Sequence, residues 1–268
     1  MANDSDTVDD DTARATALGN TILRGVIGST AYGTALDSQA DRDEMGVFME
    51  PPALVCGLRR CDTYTQRDQP QGARSQPGDL DLVMHSLRRY CQLAVKGNFS
   101  TLQLLYLPSY ITVTPIGAAL VAMRESFITR KAGAQFFGYL NGQKHKLTGE
   151  RAKNVNRPEL VEKYGYDTKF AMHALRVGLQ GIEAMTRRRI TLPVPEPELS
   201  TLRAVRTGQV SFAEAIALIE DAEKRLDGLV SACTWQVDRR AVDAFLTRAH
   251  LDWWQSRGLV PQGSTAPS

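Results

Sequence analysis

Four cysteines in 268 residues (Cys56, Cys61, Cys91 and Cys233) are too scattered for a disulfide framework or a zinc motif, so reduced, structural thiols are expected. No run is long and apolar enough for a membrane helix, and the N-terminus lacks the basic-then-apolar order of a signal peptide. A cytoplasmic protein with no membrane partner is the expectation. The net charge of only +2 does not advertise a nucleic-acid binder, although a balanced total leaves room for a local basic patch. No internal repeat is present. The glycines do not make a P-loop: Gly28 and Gly33 have the spacing, but Thr34-Ala35 stand where Lys-Ser/Thr is required. Nor is there a Gly-x-Gly-x-x-Gly fingerprint for a dinucleotide.

The ends hold little that is apolar. Five aspartates fall within residues 1–11, and residues 1–12 read as a disordered acidic tail. Residues 258–268, with Pro, Gly and Ser, read as a flexible C-terminal tail. What lies between is ordinary for a globular chain, 43% hydrophobic and 23% charged overall, with ample length for a buried core.

The most informative stretch is 22–48. Ile22 to Ile27 is an apolar run expected as a buried strand. It stops at Gly28-Ser29, passes Tyr32-Gly33, and reaches Asp41-Arg42-Asp43 before a second apolar run, Met45 to Phe48. On a strand, residues two apart share a face, so Asp41 and Asp43 aim both carboxylates at one point. Such a pair repels unless a cation or proton sits between them, and a hard divalent ion prefers oxygen ligands shared with substrate phosphates. A glycine-serine turn upstream offers backbone N–H groups and a hydroxyl to a phosphate. Phosphate cradle and paired carboxylates together point to nucleotidyl transfer.

Further along, Asp79 to His85 reads as a third strand and 86–97 as an amphipathic helix closed at Gly97. Residues 61–77 read as a polar surface loop. Helices follow over about 116–146, 168–188, 211–229 and 242–254, separated by a basic loop at 148–158 and a Pro-rich linker at 190–213. On the 168–188 helix, Lys169, His173 and Arg176 stand at i, i+4 and i+7, within one narrow stripe.

Three sets of residues resemble the DNA-polymerase-beta-like nucleotidyltransferase superfamily, and within it the RNA-repair-pathway polymerase-beta family of bacteria and phages. They are Gly28-Ser29-Thr30-Ala31-Tyr32-Gly33, Asp41-Arg42-Asp43 with Gly46-Val47-Phe48, and Tyr164 through Arg176. Two positions depart from the family pattern: Ala40 replaces the usual serine, and Arg42 the usual apolar residue. The likeness spans roughly residues 20–255.

The resemblance implies an α+β fold: a polymerase-beta-like core over 13–112, built on a small mixed sheet, followed by a mainly helical half over 113–257. It implies Asp81 as a third metal carboxylate, with Asp79 as the alternative. Mg²⁺ or Mn²⁺ would be held by Asp41, Asp43 and Asp81. Gly28, Ser29, Lys169, His173 and Arg176 would bind nucleotide or acceptor phosphate. The activity implied is metal-dependent transfer of a nucleoside monophosphate from a nucleoside triphosphate to a hydroxyl, with an RNA end as acceptor. The alternatives are a protein adenylyltransferase of the antitoxin type and a non-catalytic nucleotide-binding protein.

Overall fold

The expected first strand is β1 (Thr21–Val26), and its position depends on what precedes it. In the computed structural model, which describes residues 6–35, 42–69, 78–148 and 157–261, α1 (Asp10–Gly19) leads into β1. The expectation of a disordered tail over 1–12 is therefore corrected for residues 6–12. Asp9 caps α1 by accepting from Thr12 N–H at 2.8 Å, and Thr7 bridges to Arg60. Acidic residues that look merely soluble are used here as cap and first turn, where the helix dipole favours them.

After β1 come α2 (Gly28–Tyr32), β2 (Arg42–Phe48), α3 (Pro52–Val55), β3 (Thr63–Arg67) and β4 (Leu80–Ser86). β3 occupies the region expected to be a loop. It lies at the sheet edge with alternating half-buried and exposed residues, so its polar sequence carries no hydrophobic run to betray it. Then follow α4 (Leu87–Val95), α5 (Phe99–Leu104), β5 (Thr112–Val113) and α6 (Pro115–Ala122). The long helical region is split, with α6 and a short 3₁₀ turn (Arg124–Phe127) before α7 (Arg130–Leu147). The chain ends with α8 (Pro158–Tyr164), α9 (Thr168–Arg187), α10 (Glu198–Arg206), α11 (Phe212–Ala232) and α12 (Arg239–Ser256).

The sheet order is β3-β4-β2-β1-β5, mixed as expected. β2 runs parallel to β4, while β1–β2, β1–β5 and β3–β4 are antiparallel. One face carries Phe48, Leu82 and Met84 against Ala13 and Ala17 of α1. The other face carries Met45 and Val47 into the main core, which continues without a break through Tyr90, Phe136, Leu175 and Leu226. The two expected halves thus share one core. α9 is its central rod, flanked by α7 and α11. Gly181 makes this possible: a Cβ there would lie 2.9 Å from both Phe136 and Leu226, tighter than packed side chains allow.

Every described cysteine is free, and Cys61 and Cys91 are buried, as expected of structural thiols. Among the described residues no helix is long and apolar enough to cross a membrane. Of the C-terminal tail expected over 258–268, residues 262–268 lie outside the described residues, as does most of the 148–158 loop.

Candidate active site

The parallel pairing of β2 with β4 sets Asp43 directly opposite Asp81. Both are half-buried and share a sheet face with Met45 and Val83. Register places the two candidate aspartates at the start of β4 differently. Asp81 is the partner of Asp43, whereas Asp79 precedes the strand and accepts from Gln69 Nε2 at 2.8 Å. Asp41 lies outside the described residues.

Asp43 also rests on the turn. Ile27 N–H donates to Asp43 O at 2.9 Å, and Gly28 sits at φ +73° with the Asp43 carboxylate where its Cβ would be. Only glycine allows both this backbone conformation and this approach. From Gly28 the chain coils into α2, which carries Ser29 at its first turn and buries Tyr32.

The charge pattern suits a cation. Two carboxylates opposite one another on adjacent strands repel. Arg67, the register partner of Asp81 across β3, meets it at 3.3 Å from a side chain that is 61% exposed. An exposed arginine of this kind is a weakly held counter-ion, free to turn outward. Among the described residues, no group of three His, Cys, Asp or Glu gathers for a metal. The two carboxylates described, Asp43 and the expected third ligand Asp81, are hard oxygen donors on neighbouring strands, the donor type Mg²⁺ and Mn²⁺ take, and they fit such an ion.

The stripe of Lys169, His173 and Arg176 lies in the first half of α9. Asp167 caps α9, accepting from the N–H groups of Lys169 and Phe170 at 3.0 Å each. His173 is half-buried. Burial, then the nearby charges of Arg176, Lys169, Arg157 and Arg206, push its pKa down to about 3, so it is neutral at physiological pH. Arg206, on α10, donates to Thr168 Oγ1 at 3.4 Å. Nothing in its linker context marks it in the sequence, yet it belongs to this cluster of positive charge.

Arg176 is placed differently from the phosphate clamp that the resemblance implies. It is 2% exposed, and its guanidinium lies 3.8 Å from the centre of the Tyr32 ring. Its Nη1 donates to Gln180 Oε1 at 2.7 Å. Gln180 Oε1 also accepts from Gln103 Nε2 at 3.1 Å, and the Tyr32 hydroxyl donates to Gln103 Oε1. The arginine is thus joined to α2 through a closed polar network. Burial holds the Arg176 pKa below, and the Tyr32 pKa above, their usual values. Gln103, which stands where the family pattern has a glutamate and reads as a packing residue, and Gln180, which carried no signal in the sequence, complete the network.

A small mixed sheet bearing carboxylates on adjacent central strands, beside a glycine-serine turn and backed by helices, defines a nucleotidyltransferase of the polymerase-beta type. The chain belongs to the RNA repair pathway DNA polymerase beta family, whose model matches residues 6–228. The match begins earlier and ends sooner than the 20–255 span of the sequence likeness. Comparison with curated proteins returns no match. Among solved structures, the chain is similar to a nucleotidyltransferase-like protein from Exiguobacterium sibiricum at 12% identity and a TM-score of 0.30. The alignment covers 96% of this chain and 93% of that one. At that score the likeness adds nothing to the family assignment.

Proposed function

We propose that this protein is a metal-dependent nucleotidyltransferase that moves a nucleoside monophosphate from a nucleoside triphosphate to a hydroxyl on an RNA end. The observation that carries the reading is the direct pairing of Asp43 with Asp81 against the Gly28 turn. Asp41, Asp43 and Asp81 would hold Mg²⁺ or Mn²⁺. When bound there, such ions acidify a hydroxyl and neutralise charge on a departing pyrophosphate.

The chain's own groups do the rest. Ser29 and the N–H groups of the turn hold the β- and γ-phosphates, as short polar turns do for anions. Lys169 and Arg206 add positive charge from the helical side. His173, being neutral, hydrogen-bonds phosphate or ribose without adding charge. Arg176 acts as a positioning residue: it grips Tyr32 and so fixes α2. In the reaction the acceptor oxygen bonds to the α-phosphorus, the bond to the β-phosphate oxygen breaks, and the hydroxyl proton passes to solvent.

The test supplies each of four α-labelled triphosphates, with Mg²⁺ or Mn²⁺, and offers RNA, DNA or a protein acceptor. Label is expected on RNA, and Asp43→Asn is expected to abolish it while circular dichroism stays unchanged. Label appearing on protein would favour an adenylyltransferase. Transfer by Asp43→Asn at the wild-type rate would refute the mechanism.

A further inference from the structure

A cavity of about 520 Å³ lies between the start of α7, the start of α12 and the 233–238 segment that leads into α12. Its size is that of a small-molecule site. Arg130, Lys131 and Arg239 line it beside Trp235, and no acidic side chain among the described residues does. Three positive charges thus meet there in a chain whose formal net charge is only +2. All three side chains are exposed, and none has an ion pair among the described residues.

The charges also stand where helices disfavour them. α1, α8, α10 and α11 carry acidic residues in their first turns, the sign that the positive end of a helix favours. α7 begins with Arg130-Lys131 and α12 with Arg239-Arg240, and neither has an acid in its first turn. Each of the two helices has 18 residues, and their positive ends border one cavity. Cations at such ends oppose the helix dipoles and one another, and low-dielectric walls focus their field. An anion in the cavity turns that repulsion into attraction. The backbone holds the walls in place. Arg130 N–H donates to Trp235 O at 3.0 Å, and the buried Thr129 caps α7 by accepting from Ala132 N–H at 3.4 Å. Asp238, beside Arg239 in the chain, is engaged as the α12 cap, accepting from Ala241 N–H at 3.1 Å.

We infer that this cavity binds a small organic phosphate with a flat ring, of the mononucleotide type. The phosphate lies among Arg130, Lys131 and Arg239, and the ring along Trp235, Val237 and Ala134, which supply the apolar wall. An arginine fork matches two phosphate oxygens at once, which favours a phosphate over a singly charged carboxylate. Arg188 is not a lining residue; its Cζ lies 4.9 Å from the Trp235 ring centre and steadies the indole without occupying the cavity. The site is not the one formed by the aspartates. α7 runs for about 27 Å from the cavity to its last turn, where Lys146 meets Phe170 at the start of α9. The cavity is thus a helix length from Lys169 and His173, and binding there needs neither metal nor nucleotidyl transfer.

The test is calorimetry on the full chain in metal-free buffer with EDTA, using AMP, adenosine and ribose 5-phosphate as probes. AMP is expected to bind tightest, and adenosine, which lacks the charge, about tenfold more weakly or worse. Ribose 5-phosphate, which lacks the ring, should fall between them. Arg130→Gln with Arg239→Gln is expected to weaken AMP about tenfold or more, and Trp235→Ala to bring AMP down to the level of ribose 5-phosphate. Urea unfolding separates a binding role from a structural one. Without ligand the double variant should have the higher midpoint, because repulsion at both helix ends is relieved, and AMP should no longer raise it. Asp43→Asn and Ser29→Ala should bind AMP like wild type. The site is refuted if AMP does not bind, if adenosine binds equally well, or if the double variant keeps wild-type affinity. It is also refuted if the double variant unfolds at lower urea than wild type, since the arginines would then be structural. Loss of AMP from Ser29→Ala instead of the double variant would refute it too, by placing the nucleotide at the Gly28 turn. Failure of the RNA transfer assay would leave AMP binding here intact, and failure of AMP binding would leave the Asp43–Asp81 reading intact.

Discussion

Gly28 and Asp43 are fifteen residues apart and occupy one volume between them. The backbone at Gly28 is left-handed, and the space above its Cα belongs to the Asp43 carboxylate. Gly28→Ala therefore adds a conformational cost of about 1–2 kcal/mol and forces the carboxylate off its place. The expected outcome is a drop in transfer of at least a hundredfold with a loss of about 2 kcal/mol in urea unfolding, so the enzyme stays folded but inactive. Loss of activity without any destabilisation would mean that the glycine serves ligand approach alone. At this scale the sequence was most legible where chemistry forces residue type. Asp43 and Gly28 stood out because a glycine-serine turn and paired carboxylates, each common alone, occur here together and in order. The choice between Asp79 and Asp81 was not legible, because both fit one alternating strand. The register of β4 against β2 sets Asp81 and not Asp79 opposite Asp43, and register is a long-range property that no local pattern contains.

Among the elements, α9 joins fold to site. One side of it fills the core with Met172, Leu175 and Ala184, while Lys169 and His173 belong to the proposed phosphate-binding cluster and Arg176 and Gln180 tie it to α2. The sequence showed the stripe but not its depth: i, i+4, i+7 spacing gives direction around a helix, and burial depends on what packs against it. Arg176 is sealed by Tyr32, so it should behave as a support. Arg176→Lys loses the planar stack and the fork that reaches Gln180. It is expected to lower kcat at least tenfold and destabilise the fold by about 1–3 kcal/mol, with KM for the triphosphate little changed. A direct phosphate contact predicts the reverse, a raised KM on an unaltered unfolding curve. β3 shows the opposite failure of reading. Its residues Thr63 to Arg67 are polar because none of them is buried in the core, yet one of them meets Asp81.

For the molecule as a whole, the distant C-terminal helix is fastened to the end of β2 by a buried polar contact. His250 Nε2 lies 3.1 Å from Glu50 Oε2, its Nδ1 lies 2.8 Å from Leu246 O, and Trp254 Nε1 donates to Glu50 O at 2.8 Å. Burial works against the imidazolium, but bonds to the Glu50 carboxylate and the Leu246 carbonyl outweigh it and raise the His250 pKa. Two other histidines go the opposite way. Burial and neighbouring cations push His173 down to about 3 and His85 to about 4. The signs then set a dome. Below the ordinary value near 6.5, the unfolded chain protonates at His85 and His173 while the folded chain does not, so stability falls as pH falls toward 4. Above that value the unfolded chain has lost the proton that folded His250 retains, so stability declines as pH rises through the folded pKa. The urea midpoint is expected to peak between these limbs. His173→Gln should make the acid limb shallower by about 1 kcal/mol per pH unit, and His250→Gln should flatten the alkaline limb. His250→Ala, which strands Glu50 at 2% exposure without its partner, should cost about 3–5 kcal/mol near neutrality. A midpoint that climbs steadily from pH 5 to 9 in wild type, and identically in His250→Gln, would show that α12 is held by Trp253, Trp254 and the apolar core instead of by this charge pair.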